Sequence, residues 1–308
     1  MLSTARTTDR VLMIRPSHAA SNPETLESNA FQTRAAPADA AARARVEFDE
    51  MVEALVGAGV TVHVFDDDPE RDTPDAVFPN NWLSFHDDGV ATLYPMFAPN
   101  RRREVRPELI DRLTLASGLR WPRVVDLTPL VDRGAFIEGT GSVVLDRAYR
   151  VAFAARSPRT TDEGLVAFSE ALGYEVVAFD ASDGGGGSVY HTNVMMAIGD
   201  GFVVCCMDSV AVADRDRLNS AFDACGLEIV PISEAQRDAF AGNMLALRSG
   251  SGDPLLVMSS RAFGSLSSDQ RRALEKRSRV VSADLETIEA IGGGSARCMI
   301  CEVFGVGG

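Results

Sequence analysis

Apolar residues of this 308-residue chain form short runs typical of β-strands and longer helical patterns, and the two alternate in a repeating order. Four segments each contain a strand, a tight polar turn, a second strand, a helix and a third strand. Their hairpin turns fall at about residues 88, 147, 200 and 252, a spacing of roughly 50–60 residues that is typical of repeat architectures. Helices are predicted from apolar spacing such as that of Phe48, Met51 and Leu55, and strands from β-branched runs bounded by Gly, Asp and Pro.

A fifth unit is divided between the two ends of the chain. VLMIRPS, a long amphipathic helix and VTVHVF form its N-terminal part, and CMICEVF at residues 298–304 returns as the remaining strand. Five similar units predict one closed α/β domain with pseudo-fivefold symmetry, helices outside and strand ends meeting at an axis. A doubly wound sheet is the alternative, and it fits less well because most units open with a hairpin. We expect a single domain over residues 1–308, with flexible tails at 1–10 and 305–308.

Composition narrows the class of protein. A hydrophobic fraction of 45% is ample for a large core, and 30 basic against 44 acidic residues give a net charge of −14. A protein that binds nucleic acids or anionic membranes needs a positively charged surface, so neither is expected as a partner. The chain begins without the continuous apolar stretch of a signal peptide, and the apolar run VMMAIGDGFVVCCM is too short to span a bilayer. Five cysteines without a disulfide framework favour the reducing cytoplasm.

Residues that can carry chemistry gather at the start of the predicted hairpins. If the units surround an axis, these residues meet in one central pocket. A cysteine, a histidine and a glutamate can together supply a thiolate nucleophile, a proton shuttle and a carboxylate that orients the histidine. The residues concerned are Asp75, Asn80, Asn81, Glu138, His191, Asn193 and Cys298.

Other uses of the cysteines and histidines are less favoured. Cys298 and Cys301 form a C-x-x-C, which is typical of redox proteins when it opens a helix. Here CMICEVF is predicted to be a strand, in which residues three apart face opposite sides. The four histidines show no metal-ligand spacing, so neither a metal nor a cofactor is expected. Cys205, Cys206 and Cys225 lie in apolar segments and are interpreted as packing residues.

Six motifs occur in an order and spacing that resemble the guanidino-modifying superfamily with the pentein fold, an α/β propeller. They are TPDAVFPNN, NRRRE, IEGTGS, SPRTTDEG, HTN and GGGSARC, and the resemblance runs from about residue 11 to 304. The superfamily includes dimethylarginine dimethylaminohydrolases, arginine and agmatine deiminases and amidinotransferases. The chain most resembles the branch of the citrulline-utilisation hydrolases. The resemblance implies five pseudo-symmetric hairpin–helix–strand units around a central pocket.

The resemblance also implies roles for individual residues. Cys298 corresponds to the nucleophile, His191 to the general acid and base, and Glu138 to the third member of the catalytic group. The arginines of NRRRE and SPRTT occupy positions that hold the substrate carboxylate in dimethylarginine hydrolases, a task that suits a planar guanidinium fork. The substrate-binding candidates are therefore Asp75, Asn80, Asn81, Arg101, Arg159 and Asn193.

Two asparagines depart from the family pattern. Deiminases and dimethylarginine hydrolases generally have an acidic residue at the position of Asn81, and deiminases have an aspartate at that of Asn193. A guanidinium cation is held best by carboxylates, whereas an amide can both donate to and accept from a neutral ureido group. The two asparagines therefore favour a ureido amino acid such as citrulline over arginine. Glu138 and Asp75 remain, so a guanidino substrate stays open.

Taken together, these features predict a cytoplasmic, cofactor-free cysteine hydrolase that acts on a ureido or guanidino amino acid through a covalent intermediate on sulfur. An amidinotransferase that passes the amidino group to an amine is the alternative among enzymes. A non-catalytic pentein binding module is the other alternative, and the trio of Cys298, His191 and Glu138 argues against it. The expected partner is a small amino acid substrate, and a homodimer stays open.

Overall fold

The computed structural model describes residues 7–29, 31–33 and 37–307. Within these residues, short strands and helices alternate along the chain. The strands are β1 Arg10–Arg15, β2 Thr61–Asp66, β3 Leu83–Phe85, β4 Val90–Leu93, β5 Leu119–Arg120, β6 Arg123–Asp126, β7 Val143–Asp146, β8 Val151–Ala155, β9 Glu175–Phe179, β10 Met196–Gly199, β11 Phe202–Cys205, β12 Glu228–Pro231, β13 Leu245–Arg248, β14 Pro254–Ser259, β15 Arg279–Ala283, β16 Cys301–Glu302 and β17 Val306–Gly307. The helices are α1 Ala40–Gly57, α2 Glu108–Ser117, α3 Gly139–Ser142, α4 Asp162–Leu172, α5 Val212–Ala224, α6 Glu234–Asp238, α7 Ser260–Ser265, α8 Ser268–Glu275 and α9 Glu286–Gly292.

Five three-stranded sheets share one topology. In each, the middle strand pairs antiparallel with one neighbour and parallel with the strand that follows a helix. The antiparallel neighbour is the hairpin partner in β3-β4-β6, β7-β8-β9, β10-β11-β12 and β13-β14-β15. The remaining sheet is β16-β1-β2, in which Val11 lies opposite Glu302 and Leu12 opposite Cys301. The fold is therefore α/β. The predicted repeat, and the return of the C-terminal segment to the first unit, are confirmed.

The first strands of several hairpins lie next to one another. β3 contacts β16, and β10 contacts both β7 and β13. The residues that immediately precede these strands are thereby brought close together. This packing positions the candidate site, because the chemistry-bearing residues precede the same strands in sequence.

Helix α1 illustrates how the apolar pattern specifies the packing. Phe48, Met51 and Leu55 are fully buried, and they join a core that also contains Val11 and Val257. Burying each such side chain stabilises the fold by about 1.5–3 kcal/mol. These contacts attach α1 to strands of the first and the fifth unit.

Residues near both ends of the described part bond to other segments of the chain. Residues 1–6 and 308 lie outside the described part, but Thr8 donates a hydrogen bond to the Val303 carbonyl at 2.8 Å. At the other end, β17 pairs antiparallel with β5. These bonds involve residues of the segments 1–10 and 305–308, and the flexibility expected of those segments stays a prediction.

The C-terminal apolar run is not one continuous strand. β16 contains only Cys301 and Glu302, and Cys298 lies in the preceding turn, where its backbone N–H donates to the Ser295 carbonyl at 2.9 Å. The argument that Cys298 and Cys301 lie in one strand and face opposite sides of it is therefore wrong. Their sulfurs nevertheless have different surroundings, since Cys301 Sγ lies 3.4 Å from the Leu83 carbonyl oxygen. All five cysteines are free thiols.

Candidate active site

Most candidate residues lie in or beside single helical turns that precede the first strand of a hairpin. These turns are Pro79–Asn81 before β3, α3 before β7 and Thr192–Val194 before β10. The sequence predicted the same residues as the beginnings of strands, and that assignment is wrong. A turn has no pleat, so its consecutive residues are not forced to opposite faces as they are in a strand.

The turns of three units meet at α3, where glycine permits their close approach. A Cβ atom on Gly139 would lie 2.9 Å from the Asn81 carbonyl oxygen. A Cβ atom on Gly141 would lie 2.5 Å from the Asn81 Nδ2 atom and 2.7 Å from the His191 Nδ1 atom. Side chains at either position would push these groups away. The glycines of IEGTGS therefore bring the asparagine and the histidine against the turn that carries the glutamate.

These turns border a narrow pocket, called the cavity below. Three candidates do not line it but contact residues that do: Glu138 bonds His191, Asn193 faces Cys298, and Asn80 accepts a hydrogen bond from the Asn81 amide at 3.0 Å. The lining residues are Asn29, Asp75, Phe78, Asn81, Arg101, Arg159, Tyr190, His191, Gly292, Gly293, Gly294 and Cys298.

Glu138 is fully buried and orients the histidine ring. Its Oε2 atom lies 2.7 Å from the His191 Nε2 atom, and its Oε1 atom accepts from the Phe97 backbone N–H at 2.9 Å. Arg159 and Arg101 lie 3.7 and 3.8 Å from the same carboxylate. Burial alone would raise the pKa of Glu138, but Arg159 and the hydrogen bond from the histidine lower it to about 2. Glu138 is therefore an anion at neutral pH.

His191 is neutral near pH 7. Burial lowers its pKa to about 4, although the Glu138 carboxylate acts in the opposite direction. Because an ionised Glu138 can only accept hydrogen bonds, the proton of the neutral ring lies on Nε2 and Nδ1 is the basic nitrogen. The pair is thus arranged to take up a proton at Nδ1 and to stabilise the resulting cation.

The Cys298 sulfur faces two amides. The Asn243 Nδ2 atom lies 3.3 Å from it, and the Asn193 Nδ2 and Oδ1 atoms lie at 3.5 and 3.8 Å. Burial raises the pKa of the Cys298 thiol, while the backbone of Ser295 and the amide of Asn243 act to lower it. The thiol is therefore protonated at neutral pH until additional positive charge or a base acts on it.

Arg101 is paired with a buried glutamate that sequence reasoning missed. Its Nε and Nη2 atoms each donate to Glu104 at 2.9 Å, and its Nη1 atom donates to the Asn81 Oδ1 atom at 3.0 Å. Burial raises the pKa of Glu104 to about 7, although Arg101 counteracts the rise. The guanidinium fork that we expected to bind a substrate carboxylate is therefore engaged within the protein.

The guanidinium of Arg159 makes fewer hydrogen bonds within the protein than that of Arg101. Its Nη2 atom donates to the Ser28 hydroxyl at 2.7 Å, and its guanidinium lies over the Tyr190 ring, 5.1 Å from the centroid. Among the described residues, its Nε atom has no hydrogen-bond partner. Arg159 therefore lines the cavity and has one buried donor that remains unused. The same segment as Ser28 also supplies Asn29, whose amide donates to the Gly293 carbonyl at 3.3 Å.

Asp75 presents an unused acceptor. Its Oδ2 atom accepts a hydrogen bond from the Asn22 amide at 2.7 Å and lies 3.6 Å from Arg101 Nε. Its Oδ1 atom has no hydrogen-bond partner within the described part of the chain. Burial raises the pKa of Asp75, although Arg101 and Asn22 act against the rise. A buried carboxylate oxygen in this state is suited to an N–H group of a ligand.

The three glycines before the cysteine allow the chain to pass an aromatic ring. A Cβ atom on Gly292 would lie 2.6 Å from the Phe78 ring, and one on Gly294 would lie 3.0 Å from the same ring. Gly293 has φ 64° and ends α9 in the left-handed conformation, which glycine adopts without strain. This close approach leads the chain into the turn that carries Cys298.

Sequence reasoning missed three polar residues of the site, for different reasons. Asn243 starts the fifth hairpin, so the repeat that indicated Asn193 and Asn81 also contained a signal for it. Glu104 is three residues after Arg101, a spacing that places two side chains on one face of a helical turn. Asn22 lies in irregular structure, and no pattern in the sequence pointed to it.

The sequence matches a known family over most of its length. A family model described as "N,N dimethylarginine dimethylhydrolase, eukaryotic" matches residues 15–305. A search of curated proteins finds no match. No helix of the described residues is long and apolar enough to cross a membrane. In the same part of the chain, no group of three or more His, Cys, Asp or Glu side chains is arranged to hold a metal ion.

Solved structures share the fold at low sequence identity. The N-terminal domain of ArgZ, an arginine dihydrolase from the ornithine–ammonia cycle in cyanobacteria, was solved with substrate in a cysteine-to-serine mutant; its TM-score is 0.74 at 16% identity, covering 96% of this chain and 98% of that one. A dimethylarginine dimethylaminohydrolase adduct with S-methyl-L-thiocitrulline gives 0.66 at 16% identity, covering 96% and 100%. A cysteine-to-alanine mutant of AgrE with L-arginine gives 0.70 at 17% identity, covering 96% of this chain but 40% of AgrE. The similarity establishes a shared α/β architecture.

Proposed function

Because this chain belongs to the N,N-dimethylarginine dimethylhydrolase family, within the pentein superfamily of guanidino-modifying enzymes, we propose that it hydrolyses a C–N bond of a guanidino or ureido amino acid. The observation that carries the proposal is the combination of one thiol, Cys298, and one carboxylate-oriented histidine, His191, on the wall of the same cavity. Similar residue types serve nucleophilic attack and proton transfer in many hydrolases.

Ionisation of the thiol is the first step of the proposed mechanism. Cys298 is protonated and His191 neutral in the resting state. A guanidinium cation bound beside the sulfur lowers the thiol pKa by direct charge interaction. The thiol proton passes to His191, whose cationic form is stabilised by Glu138.

Attack by the thiolate on the guanidino or ureido carbon forms the C–S bond. His191 then gives its proton to the leaving nitrogen, and the C–N bond breaks. In the second half of the reaction, His191 takes a proton from water as the water attacks the carbon attached to sulfur. Collapse of that adduct breaks the C–S bond and returns the proton to Cys298.

Buried carboxylates support a substrate that carries N–H donors. Asp75 lines the cavity with Arg101 and Arg159, and Glu104 and Glu138 lie behind these two arginines. The unpaired Asp75 Oδ1 atom suits a planar N–H group, whether guanidino or ureido. We propose that Arg159, with its unused Nε donor, binds the substrate carboxylate, and that Arg101 contributes mainly through its charge.

We also propose that the five sheets close around one axis as in a propeller. The contacts of β3 with β16 and of β10 with β7 and β13 support this arrangement. An experimental structure in which the five sheets leave a gap between two neighbouring units would contradict it.

Product analysis tests the function directly. The protein is incubated with citrulline, arginine, dimethylarginine and agmatine, with and without an added acceptor amine, and products are identified by mass spectrometry. We expect hydrolysis of at least one amino acid substrate, and no turnover by Cys298→Ser, since a hydroxyl is a far weaker nucleophile than a thiolate at neutral pH. A Cys298→Ser variant with full activity would refute the mechanism. Products formed only with the amine would identify an amidinotransferase instead.

A further inference from the structure

The amide of Asn243 has only one workable orientation. Its Oδ1 atom accepts a hydrogen bond from the Arg297 backbone N–H at 3.0 Å, and its Nδ2 atom donates to the Asn193 backbone carbonyl at 2.9 Å. A backbone N–H can only donate and a backbone carbonyl can only accept, so exchanging the amide oxygen and nitrogen would break both bonds. The second hydrogen on Nδ2 therefore faces the Cys298 sulfur, 3.3 Å away.

Asn193 is the other amide beside the sulfur, and it is not restricted to donating a hydrogen bond. Its Nδ2 and Oδ1 atoms lie 3.5 and 3.8 Å from Cys298 Sγ, so it can donate to a thiolate or accept from a thiol. Asn243 can only donate. A hydrogen bond to a charged sulfur is stronger than one to a neutral sulfur, so a donor in this place selectively stabilises the thiolate.

The backbone before Asn243 is shaped to hold the amide there. Phe240 adopts φ 62°, a left-handed conformation that bulky residues rarely use, and its carbonyl accepts the Asn243 N–H at 2.8 Å. A Cβ atom on Gly242 would lie 2.6 Å from the backbone carbon of Met195. Only glycine lets this segment pass so close to the turn that carries Asn193.

We propose that Asn243 is a positioning residue that donates a fixed hydrogen bond to Cys298 and so favours its thiolate form. The inference rests on the proposed role of Cys298 as nucleophile. Through its bond to the Arg297 N–H, the same amide also holds the turn in which the cysteine lies. One side chain thereby sets both the place and the acidity of the sulfur.

The test is the pH dependence of Cys298 alkylation by iodoacetamide without substrate, with the labelled peptide identified by mass spectrometry. In Asn243→Ala we expect the alkylation midpoint to rise by about one pKa unit, which is about tenfold slower labelling at neutral pH. In Asn243→Asp the rise is larger, because the new carboxylate keeps the bond to the Arg297 N–H but repels the thiolate. The matched control is Asn219→Ala, a half-buried amide on α5, which leaves the midpoint unchanged.

A structural role alone would lower the urea midpoint of the Asn243 variants without moving the alkylation midpoint, and that result overturns the proposal. If Asn243→Ala does not fold, Asn243→Ser, which also removes the Nδ2 donor without adding charge, decides the question by the same measurement. Alkylation requires no turnover. A wild-type protein that converts none of the tested amino acids would therefore refute the proposed function while leaving this experiment interpretable.

Discussion

Replacing Glu138 by glutamine should cost both stability and activity, by amounts that follow from its contacts. The carboxylate bonds His191 at 2.7 Å and lies within 3.8 Å of Arg159 and Arg101. Its pKa is about 2 in the fold against an ordinary 4.5. A difference of about 2.5 units corresponds to about 3 kcal/mol of folding free energy at neutral pH. At an m-value of about 3 kcal/mol per molar urea, the unfolding midpoint of Glu138→Gln falls by about 1 M.

The sign of the pH dependence gives a sharper test of the same substitution. A carboxylate whose folded pKa is depressed stabilises the fold above its unfolded pKa, and this contribution disappears as pH falls through the folded pKa. The stability gap between wild type and Glu138→Gln should therefore be full above about pH 4.5 and close toward pH 2. Urea titrations at pH 7 and at pH 3 measure it. An equal gap at both pH values would refute the assignment of Glu138 as a buried anion.

Activity should fall independently of stability. Glutamine cannot stabilise a cationic His191, and the Glu138 carboxylate is the group that opposes the effect of burial on the pKa of the histidine. Losing the proton shuttle should lower kcat by about 10²–10⁴. The matched control is Glu47→Gln, since Glu47 is also buried but bonds the backbone N–H groups of Thr287 and Ile288 in α9, whereas Glu138 bonds His191. We expect that control to keep its kcat. A Glu138→Gln variant within tenfold of the wild-type kcat would contradict the proposed mechanism.

Further predictions concern the arginines and the asparagines. Arg159→Lys loses a planar donor at the cavity, so KM for an amino acid substrate should rise by roughly 5–150-fold, equivalent to about 1–3 kcal/mol, with a small change in kcat. Arg101→Lys breaks the paired bonds to Glu104, so its urea midpoint should fall more than that of Arg159→Lys; the opposite ranking would contradict the contacts. Asn81→Asp should shift relative catalytic efficiency from citrulline toward arginine by about tenfold, and an unchanged ratio would exclude it from substrate charge selection. Asn193→Asp should lower the turnover of both substrates, because its carboxylate would face the thiolate. Faster arginine turnover in that variant would contradict the proposed effect of Asn193 on the thiolate.

Much of the fold could be predicted because its signals are local. Hairpin turns such as Asp87–Gly89 and Asp200–Gly201 carry the turn residues that interrupt apolar runs, so the repeat is visible in a single sequence. The ends of the strands near the site were harder to predict from the sequence. Cys298 follows an apolar pattern like that of a strand, but the bond of its N–H to Ser295 and of the Arg297 N–H to Asn243 hold it in a turn. The bond to Asn243 joins residues 54 positions apart, and a bond of this kind leaves no periodic signal in the chain.

The asparagines show where inference from motif positions ends. Asn81, Asn193 and Asn243 start hairpins in three units, and all three lie at the cavity or beside Cys298, although we inferred only the first two from the repeat. It does not identify their partners. Asn81 accepts from Arg101, while Asn193 and Asn243 face the cysteine sulfur. An amide in place of a carboxylate therefore has one effect at Asn81 and a different effect at Asn193.

At Asn81 the amide changes the charge around an arginine, and at Asn193 it removes a negative group from beside a nucleophile that must itself become negative. The second effect favours thiolate chemistry whatever the substrate. The asparagine pair is thus weaker support for a neutral substrate than the sequence alone suggested. The charge that the cavity accepts depends more on the buried acids around it, among them Glu104, which accepts two hydrogen bonds from Arg101. Asp75 keeps an unused Oδ1 acceptor, which suits a cationic or a neutral N–H donor.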